Sequence, residues 1–304
     1  MSDTTNPKMS ILMLTYNHEK FIRQALDSVL MQQMDFDIEI VIADDYSQDS
    51  TFAIAREYQA GAQNINLLAS EEKIGITRNL QRAFAACQGK YIAMLEGDDF
   101  WISPNKLSLV SSFLDQHQEC SFCFHRVIRH DETSDLASVH PILNTTADFT
   151  VFTASDLARG NFVAGFSTCT YRREVIDSLD PGLWKLKVRE WPFNIVVATH
   201  GPFGYVPEIL SVYRAHWGGI SSKKTLEEQR PILLEAIESY NKYLNFNFDP
   251  EFREFMQKLS QAGTDTNPAS LSAPYRQLRA WVAAAMPIRL KRTLKKLLLR
   301  DDIQ

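Results

Sequence analysis

Three acidic side chains fall within four residues at Glu96-Gly97-Asp98-Asp99, directly after the strand-like run Lys90–Leu95. A second acidic pair, Asp44-Asp45, follows the apolar run Ile38–Ala43, and the polar cluster Thr15-Tyr16-Asn17 follows Ser10–Leu14. Carboxylates gathered at a strand end can hold a hard divalent cation, Mg2+ or Mn2+, which bridges carboxylate and diphosphate oxygens. Neither a dinucleotide-type nor a P-loop glycine fingerprint follows any of these runs, so a phosphate ligand here needs such an indirect counter-charge. Gly97 would let the backbone approach the ligand closely. An Asp-Asp pair alone is more often a turn or a helix cap. Three polar clusters on one edge of one sheet favour a binding site.

The elements that must position them alternate. Ser10–Leu14, Ile38–Ala43, Asn64–Leu68 and Lys90–Leu95 read as strands, separated by helical stretches over Glu19–Met31, after Ser50 as cap, and over Ile76–Ala86. Short apolar strands spaced by helices of about ten residues predict β-α-β units and an α/β fold on a mostly parallel sheet. Ligands on such sheets bind beyond the carboxyl ends of the strands, where the three clusters lie. Beyond Pro104 a helix (Lys106–Gln116), strands over Ser121–Ile128 and Ser167–Arg172, a helix over Trp191–Thr199, short strands Tyr205–Val206 and Ile209–Arg214, and helices from Thr225 to Gln261 are expected.

The 304 residues are 45% hydrophobic and 23% charged, with a net charge of -5, which offers no basic excess for a nucleic-acid partner. The charge is uneven: between Pro274 and Arg300 there are eight Lys or Arg and no Asp or Glu. Cys120 and Cys123 have zinc-knuckle spacing, but no second pair completes a site, and Cys120-Ser121-Phe122-Cys123-Phe124 reads as a buried strand. Free core thiols, a polar N-terminus and the lack of a long apolar stretch predict a cytoplasmic location.

From Ser10 to Ser222 the sequence resembles the family 2 glycosyltransferases, which have the GT-A fold. Thr15-Tyr16-Asn17 and Asp44-Asp45-Tyr46-Ser47 resemble that family's nucleotide-binding half, and Gly75 with Arg78-Asn79 its next segment. Gly89 to Asp99 resembles its metal-motif strand. Glu190-Trp191 and Tyr213-Arg214-Ala215-His216-Trp217-Gly218-Gly219 fit its acceptor half. The resemblance implies a metal-dependent, inverting transfer of a sugar from a nucleotide diphosphate to the hydroxyl of a glycan or lipid-linked acceptor, as in polysaccharide biosynthesis.

Thr15, Tyr16, Asn17, Asp44 and Asp45 would then form the nucleotide pocket. Asp44 would take the base N–H, which favours a UDP or dTDP sugar; Asp45 has a turn cap as its alternative. Arg78 would approach the phosphates, with a surface ion pair as the rival reading. Glu96 and Gly97 would stand at the donor, Glu96 in place of the family's usual Asp. Asp98, with Asp99 beside it, would be the metal ligand. Glu190, again in place of an Asp, would be the base for the acceptor hydroxyl, against a helix-start carboxylate. Arg214 and His216 would meet the departing diphosphate, under a loop at Gly218-Gly219 that closes over the donor. Trp101, Trp191 and Trp217 would stack on sugars or pack in the core.

The expected organisation is a catalytic domain over 1–222, a helical extension over 223–262, and a linker and basic amphipathic helix over 263–304. Leu290, Leu294, Leu297 and Leu298 at helical spacing, with Arg and Lys on the other faces, suit an anionic membrane surface on the inner face of the plasma membrane, or docking onto an acidic body. Two rivals stand: a sugar nucleotidyltransferase, which lacks here its glycine-rich basic loop, and a non-catalytic sugar-binding module.

Overall fold

Every residue of β1 (Met9–Thr15) is buried, as expected of a strand covered on both faces. The computed structural model describes residues 6–132, 134, 136–141, 143, 150–216 and 226–262. Met9, Ile11 and Met13 point to one face of the sheet, and Leu12 and Leu14 to the other, following the period of two. The first helix, α1 (Ile22–Leu30), buries Ile22, Ala25, Leu26 and Val29 at three- and four-residue spacing. Then come β2 (Ile38–Asp44), α2 (Thr51–Gly61), β3 (Ile65–Leu68), α3 (Ile76–Ala86) and β4 (Tyr91–Glu96). The strands lie β3-β2-β1-β4, all parallel. Register sets Thr15 opposite Asp44, and Leu14 opposite Glu96, so the three polar tips stand side by side.

The second half is mixed. After β5 (Phe100–Trp101) and α4 (Lys106–Gln116) come β6 (Phe122–Asp131), β7 (Leu136–His140), β8 (Thr150–Phe152) and α5 (Ala154–Ala158). A short 3-10 turn, Phe166–Thr168, leads into β9 (Cys169–Arg172), followed by α6 (Arg173–Asp177), α7 (Glu190–Ala198) and β10 (Phe203–Ala215). The sheet continues from β4 through β9, β6 and β10 to β5; β9 is antiparallel to both neighbours, while β10 runs parallel to β6. Helices α8 (Leu226–Tyr243) and α9 (Asp249–Ala262) close the described chain.

One core, with α1, α2 and α4, fills one face of the sheet; the other, with α3 and α7, fills the opposite face. All four cysteines are buried and unpaired. Trp101 and Trp191 are core residues, the latter packed edge-on against Phe252. Ser50 makes no side-chain cap on α2; Asp49 instead accepts the Thr51 N–H at 2.9 Å. The expected strands Tyr205–Val206 and Ile209–Arg214 are one strand, β10, whose register against β6 shifts at Val206/Ile209 and again at Ile209/Ser211.

One unit reaches Met256; of a second, Gln257–Gln304, the end of α9 is described. Trp217, Gly218, Gly219, the domain boundary at 222, the linker beyond Ala262 and the basic segment 274–300 lie outside the described residues. Among the described residues no helix is long and apolar enough to cross a membrane.

Candidate active site

The tips of β1 and β2 are laced together. Asn17 N–H donates to Ser47 Oγ at 2.9 Å, and Asn17 Oδ1 accepts the Gln48 N–H at 2.8 Å. His18 N–H donates to Thr51 Oγ1 at 2.7 Å. Asn17 and Tyr46 both adopt left-handed backbone, at φ 56° and 64°. That conformation is unusual for a bulky residue and gathers at functional edges. Asp44 accepts from Ser47 N–H at 2.8 Å and Ser47 Oγ at 2.5 Å, which holds its carboxylate at the edge with lone pairs to spare. Tyr16 carries Lys73 3.6 Å above its ring, a cation that sequence reasoning missed.

Asp45 faces inward. Its Oδ1 accepts the Ile74 N–H at 2.8 Å, and both oxygens accept the Gly75 N–H at 3.1 Å. The carboxylate thus caps the entry to α3. Arg82 binds the Asp44 carbonyl at 2.7 Å and the Leu68 carbonyl at 3.2 Å, bracing the same corner. Arg78 is exposed on the first turn of α3.

At the tip of β4 the acids crowd. Burial, reinforced by the neighbouring Asp98, Asp99 and Glu190 charges, pushes the Glu96 carboxyl well above the usual range. Burial and the Asp98 charge do the same to Asp99, whose Oδ1 accepts the Arg214 N–H at 2.9 Å. Asp98 is the exception. Burial pushes it up, but a hydrogen bond from His216 and the nearby His18 outweigh this, leaving it below the usual value. His216 Nε2 lies 3.1 Å from Asp98 Oδ2 and His18 Nε2 lies 3.5 Å from the same oxygen. Burial lowers the His18 pKa against the pull of Asp98, so its imidazole is readily neutral and able to ligate. Sequence reasoning did not single out His18.

Gly97 is where β4 meets β1. A Cβ there would stand 2.9 Å from both Thr15 Oγ1 and His18 Nδ1, two atoms that are buried and unpartnered. The missing side chain serves the packing of these two residues against the motif.

Among the described residues no three His, Cys, Asp or Glu side chains form a ready metal cage. The donor set nonetheless fits a hard cation. The Asp98 carboxylate, flanked by two imidazoles, lies beside two carboxyls whose pKa burial pushes up, and a divalent ion held with a diphosphate would draw much of its shell from phosphate and water. Arg214 does not face this cluster freely: its guanidinium hydrogen-bonds Gln24, pairs with Glu132 at 3.7 Å and packs over Phe100 and Phe21.

Glu190 opens α7 and accepts the Gly165 N–H at 3.0 Å, where Gly165 takes φ 111°. Burial pushes its carboxyl up to about 8, against the Gly165 hydrogen bond. It lines a cavity of about 480 Å3 with Arg129, His140, Asn161, Phe162 and Tyr213. Tyr213, on β10, is the hinge between the two sites: the charges of Glu96, Asp99, Asp98 and Glu190 all reach its hydroxyl and, with burial, push its pKa up. The structure therefore brings together Thr15, Asp44, Glu96, Gly97, Asp98, Asp99, His216 and Glu190 along one edge. It sets Arg78 on the exposed first turn of α3, turns Asp45 into a cap and commits the Arg214 side chain to other partners.

Residues 10–180, more than half of the chain, match the profile of glycosyl transferase family 2. An uncharacterized protein of Mycobacterium tuberculosis, Rv1520, is 36% identical over 215 residues, covering 70% of this chain and 60% of its own length. The chain thus spans about 60% of the first curated relatives it matches. An uncharacterized glycosyltransferase of Nostoc, alr2836, is 28% identical over 78% of this chain and 74% of its own. Among solved structures, TarS of S. aureus in complex with UDP-GlcNAc superposes with a TM-score of 0.62 at 20% identity, covering 94% of this chain and 83% of that one. The mannosyltransferase PcManGT of Pyrobaculum calidifontis, in complex with GDP-Man and Mn2+, superposes with a TM-score of 0.57 at 16% identity, over 99% of this chain and 89% of that one. Both share the fold, a central mixed sheet flanked by helices. With the three polar strand tips on one edge and the family profile across them, this chain belongs to glycosyl transferase family 2 and has the GT-A fold.

Proposed function

We propose that the chain transfers a sugar from a nucleotide diphosphate to an acceptor hydroxyl with inversion, the donor held at the tips of β1, β2 and β4 and the acceptor in the cavity beside Glu190. The observation that carries this reading is that the Glu190 carboxyl lines a cavity together with Tyr213, the neighbour in sequence of Arg214, whose N–H binds Asp99. A base so placed can take the acceptor proton as the sugar leaves the diphosphate on the other side. Tyr16 offers the nucleobase a stacking face, and the Asp44 carboxylate an acceptor for an imide N–H, which favours UDP or dTDP. TarS was solved with UDP-GlcNAc, PcManGT with GDP-Man.

Asp98, with His216 and His18, would hold Mg2+ or Mn2+; when bound, that ion supplies neutralising charge for the departing diphosphate. The side chains themselves do the rest. Asp99 fixes β10 through the Arg214 N–H, His216 and His18 orient Asp98, and Glu190 receives the proton. The acceptor is proposed to be a glycan or lipid-linked hydroxyl in polysaccharide biosynthesis, with the enzyme cytoplasmic and the basic segment 274–300 meeting an anionic membrane. The test is a donor screen scored by nucleoside diphosphate release with and without Mn2+ or Mg2+. Metal-dependent turnover of one donor, lost in Asp98→Ala, supports the reading; full turnover in Asp98→Ala overturns it.

A further inference from the structure

Among the described residues lining the cavity at Glu190, one charged group stands beside Glu190 itself. Arg129 lines it from β6, half-buried, and makes no hydrogen bond or ion pair among the described residues. Three other arginines of this half are engaged elsewhere: Arg126 with Tyr205, Arg172 with the Cys120 and His117 carbonyls, Arg214 with Gln24 and Glu132. A guanidinium held at a cavity wall without a partner is a binding group for an oxyanion, which it can grip by two parallel N–H donors.

The surroundings agree. His140 lines the same cavity, and burial together with the Arg129 charge lowers its pKa, so it adds a neutral imidazole rather than a competing anion; its Nε2 lies 2.9 Å from Ser138 Oγ. Among the described lining residues Glu190 is the one acidic side chain. The spacing is also informative. Arg129 is the strand partner of Tyr213, and the Tyr213 ring lies 3.7 Å from where a Cβ on Gly165 would project; the Gly165 N–H binds Glu190. Arg129 and Glu190 thus both border Tyr213 on the wall of one cavity.

We propose that the acceptor carries an oxyanion, a phosphate or a carboxylate, seated on Arg129 in the same cavity as the hydroxyl presented to Glu190. This rests on the reading of Glu190 as the acceptor base. It narrows the acceptor from any hydroxyl compound to an anionic one, and it assigns Arg129 a part in acceptor specificity.

The test is a panel of hexoses and polyols, each offered as the neutral compound, as its phosphate monoester and, for the hexoses, as the uronate. For each enzyme form the charged-to-neutral ratio of kcat/KM is read. The wild-type ratio is expected at about ten to a hundred, falling toward one in Arg129→Ala and partly recovering in Arg129→Lys. The phosphate and uronate arms tell a tetrahedral from a planar anion. A wild-type ratio near one, or a ratio unmoved in Arg129→Ala, overturns the proposal. Glu190→Gln, run in parallel, separates the two ideas: transfer persisting in that variant overturns the base assignment, while the ratio still reports on Arg129.

Discussion

His216 Nε2 stands 3.1 Å from Asp98 Oδ2, with the Phe21 ring 4.5 Å from the imidazole on its other side. The contact joins the end of β10 to the tip of β4, residues 118 apart in the chain. It is also what keeps Asp98 ionised while both neighbouring acids are pushed toward the protonated form. Replacing His216 by Ala should therefore lower kcat by about 10- to 100-fold and weaken Mn2+ binding, and His18→Ala should do so to a smaller degree. Titration of Mn2+ into each variant, followed by water-proton relaxation, checks this. Wild-type affinity in both variants would contradict the assignment.

Glu190 should set the pH profile. Its ordinary pKa of 4.5 is raised to about 8 in the free enzyme, and a base must be ionised to act, so kcat/KM is expected to rise with pH through a midpoint near 8. Glu190→Gln should lose about two to four orders of magnitude in transfer. An acidic limb centred near 4.5 would show that Glu190 is not the titrating base.

The same burial has a consequence for stability. A carboxyl whose folded pKa is raised binds its proton more tightly folded than unfolded. The stabilisation is full below the unfolded pKa of 4.5 and is lost as pH rises toward about 8, a loss of at most a few kcal/mol. Differential scanning fluorimetry should find Glu190→Gln more stable than the wild type at alkaline pH and no more stable at pH 4. Parallel melting curves across that range would refute the desolvation account.

Gly97→Ala should harm the site more than the fold. Its Cβ would press on Thr15 Oγ1 and His18 Nδ1 at 2.9 Å, so the motif or the tip of β1 must move. Donor affinity is expected to fall at least about tenfold, since a shift of roughly 1 Å at a reacting centre costs that much or more. Isothermal titration with the nucleoside diphosphate and Mn2+ measures it.

Lys106 gives a prediction away from the chemistry. Its ammonium is fully buried, lies 4.2 Å above the Trp101 ring and has no hydrogen-bond partner, and burial lowers its pKa to about 8. Lys106→Met keeps the apolar stem and removes the buried charge, so its melting temperature at pH 7 should exceed the wild type's by about 2–4 °C for each kcal/mol relieved. A lower melting temperature would mean that the ammonium is satisfied in solution.

How far the site was legible from sequence depended on whether a residue's role was local. The strand tips were legible because an apolar run ending in Asp44 or Glu96 carries its meaning in adjacent residues. Asp45 shows the limit: its neighbour Asp44 faces the edge while its own oxygens are taken by Ile74 and Gly75, a choice set by a loop 29 residues away. Arg214 is similar, since nothing near it in sequence announces Gln24 as its partner. Arg129 was missed, and His140 was not singled out within the polar segment His130–Asp148 where acceptor specificity was expected. They reach Glu190 only through strand pairing between β6, β7 and β10, and the short elements β5, β7 and β8 have too few residues for a periodic signal. The two register shifts in β10 broke its alternation and made one strand look like two.

The end of β10 carries Tyr213, Arg214 and His216 in close succession, pinned by the Asp99 carboxyl on the Arg214 N–H and by the Glu132 N–H on the Ala215 carbonyl at 3.0 Å. The acidic strand tips and the cavity at Glu190, the two proposed chambers, therefore share one measuring rod. A single inserted or deleted residue between Ser211 and His216 would displace both chambers together, whereas an exchange of side chain at one position alters one of them. Descendants of this chain can diversify here by substitution alone; changes of length are confined to the loops that hang from the rod.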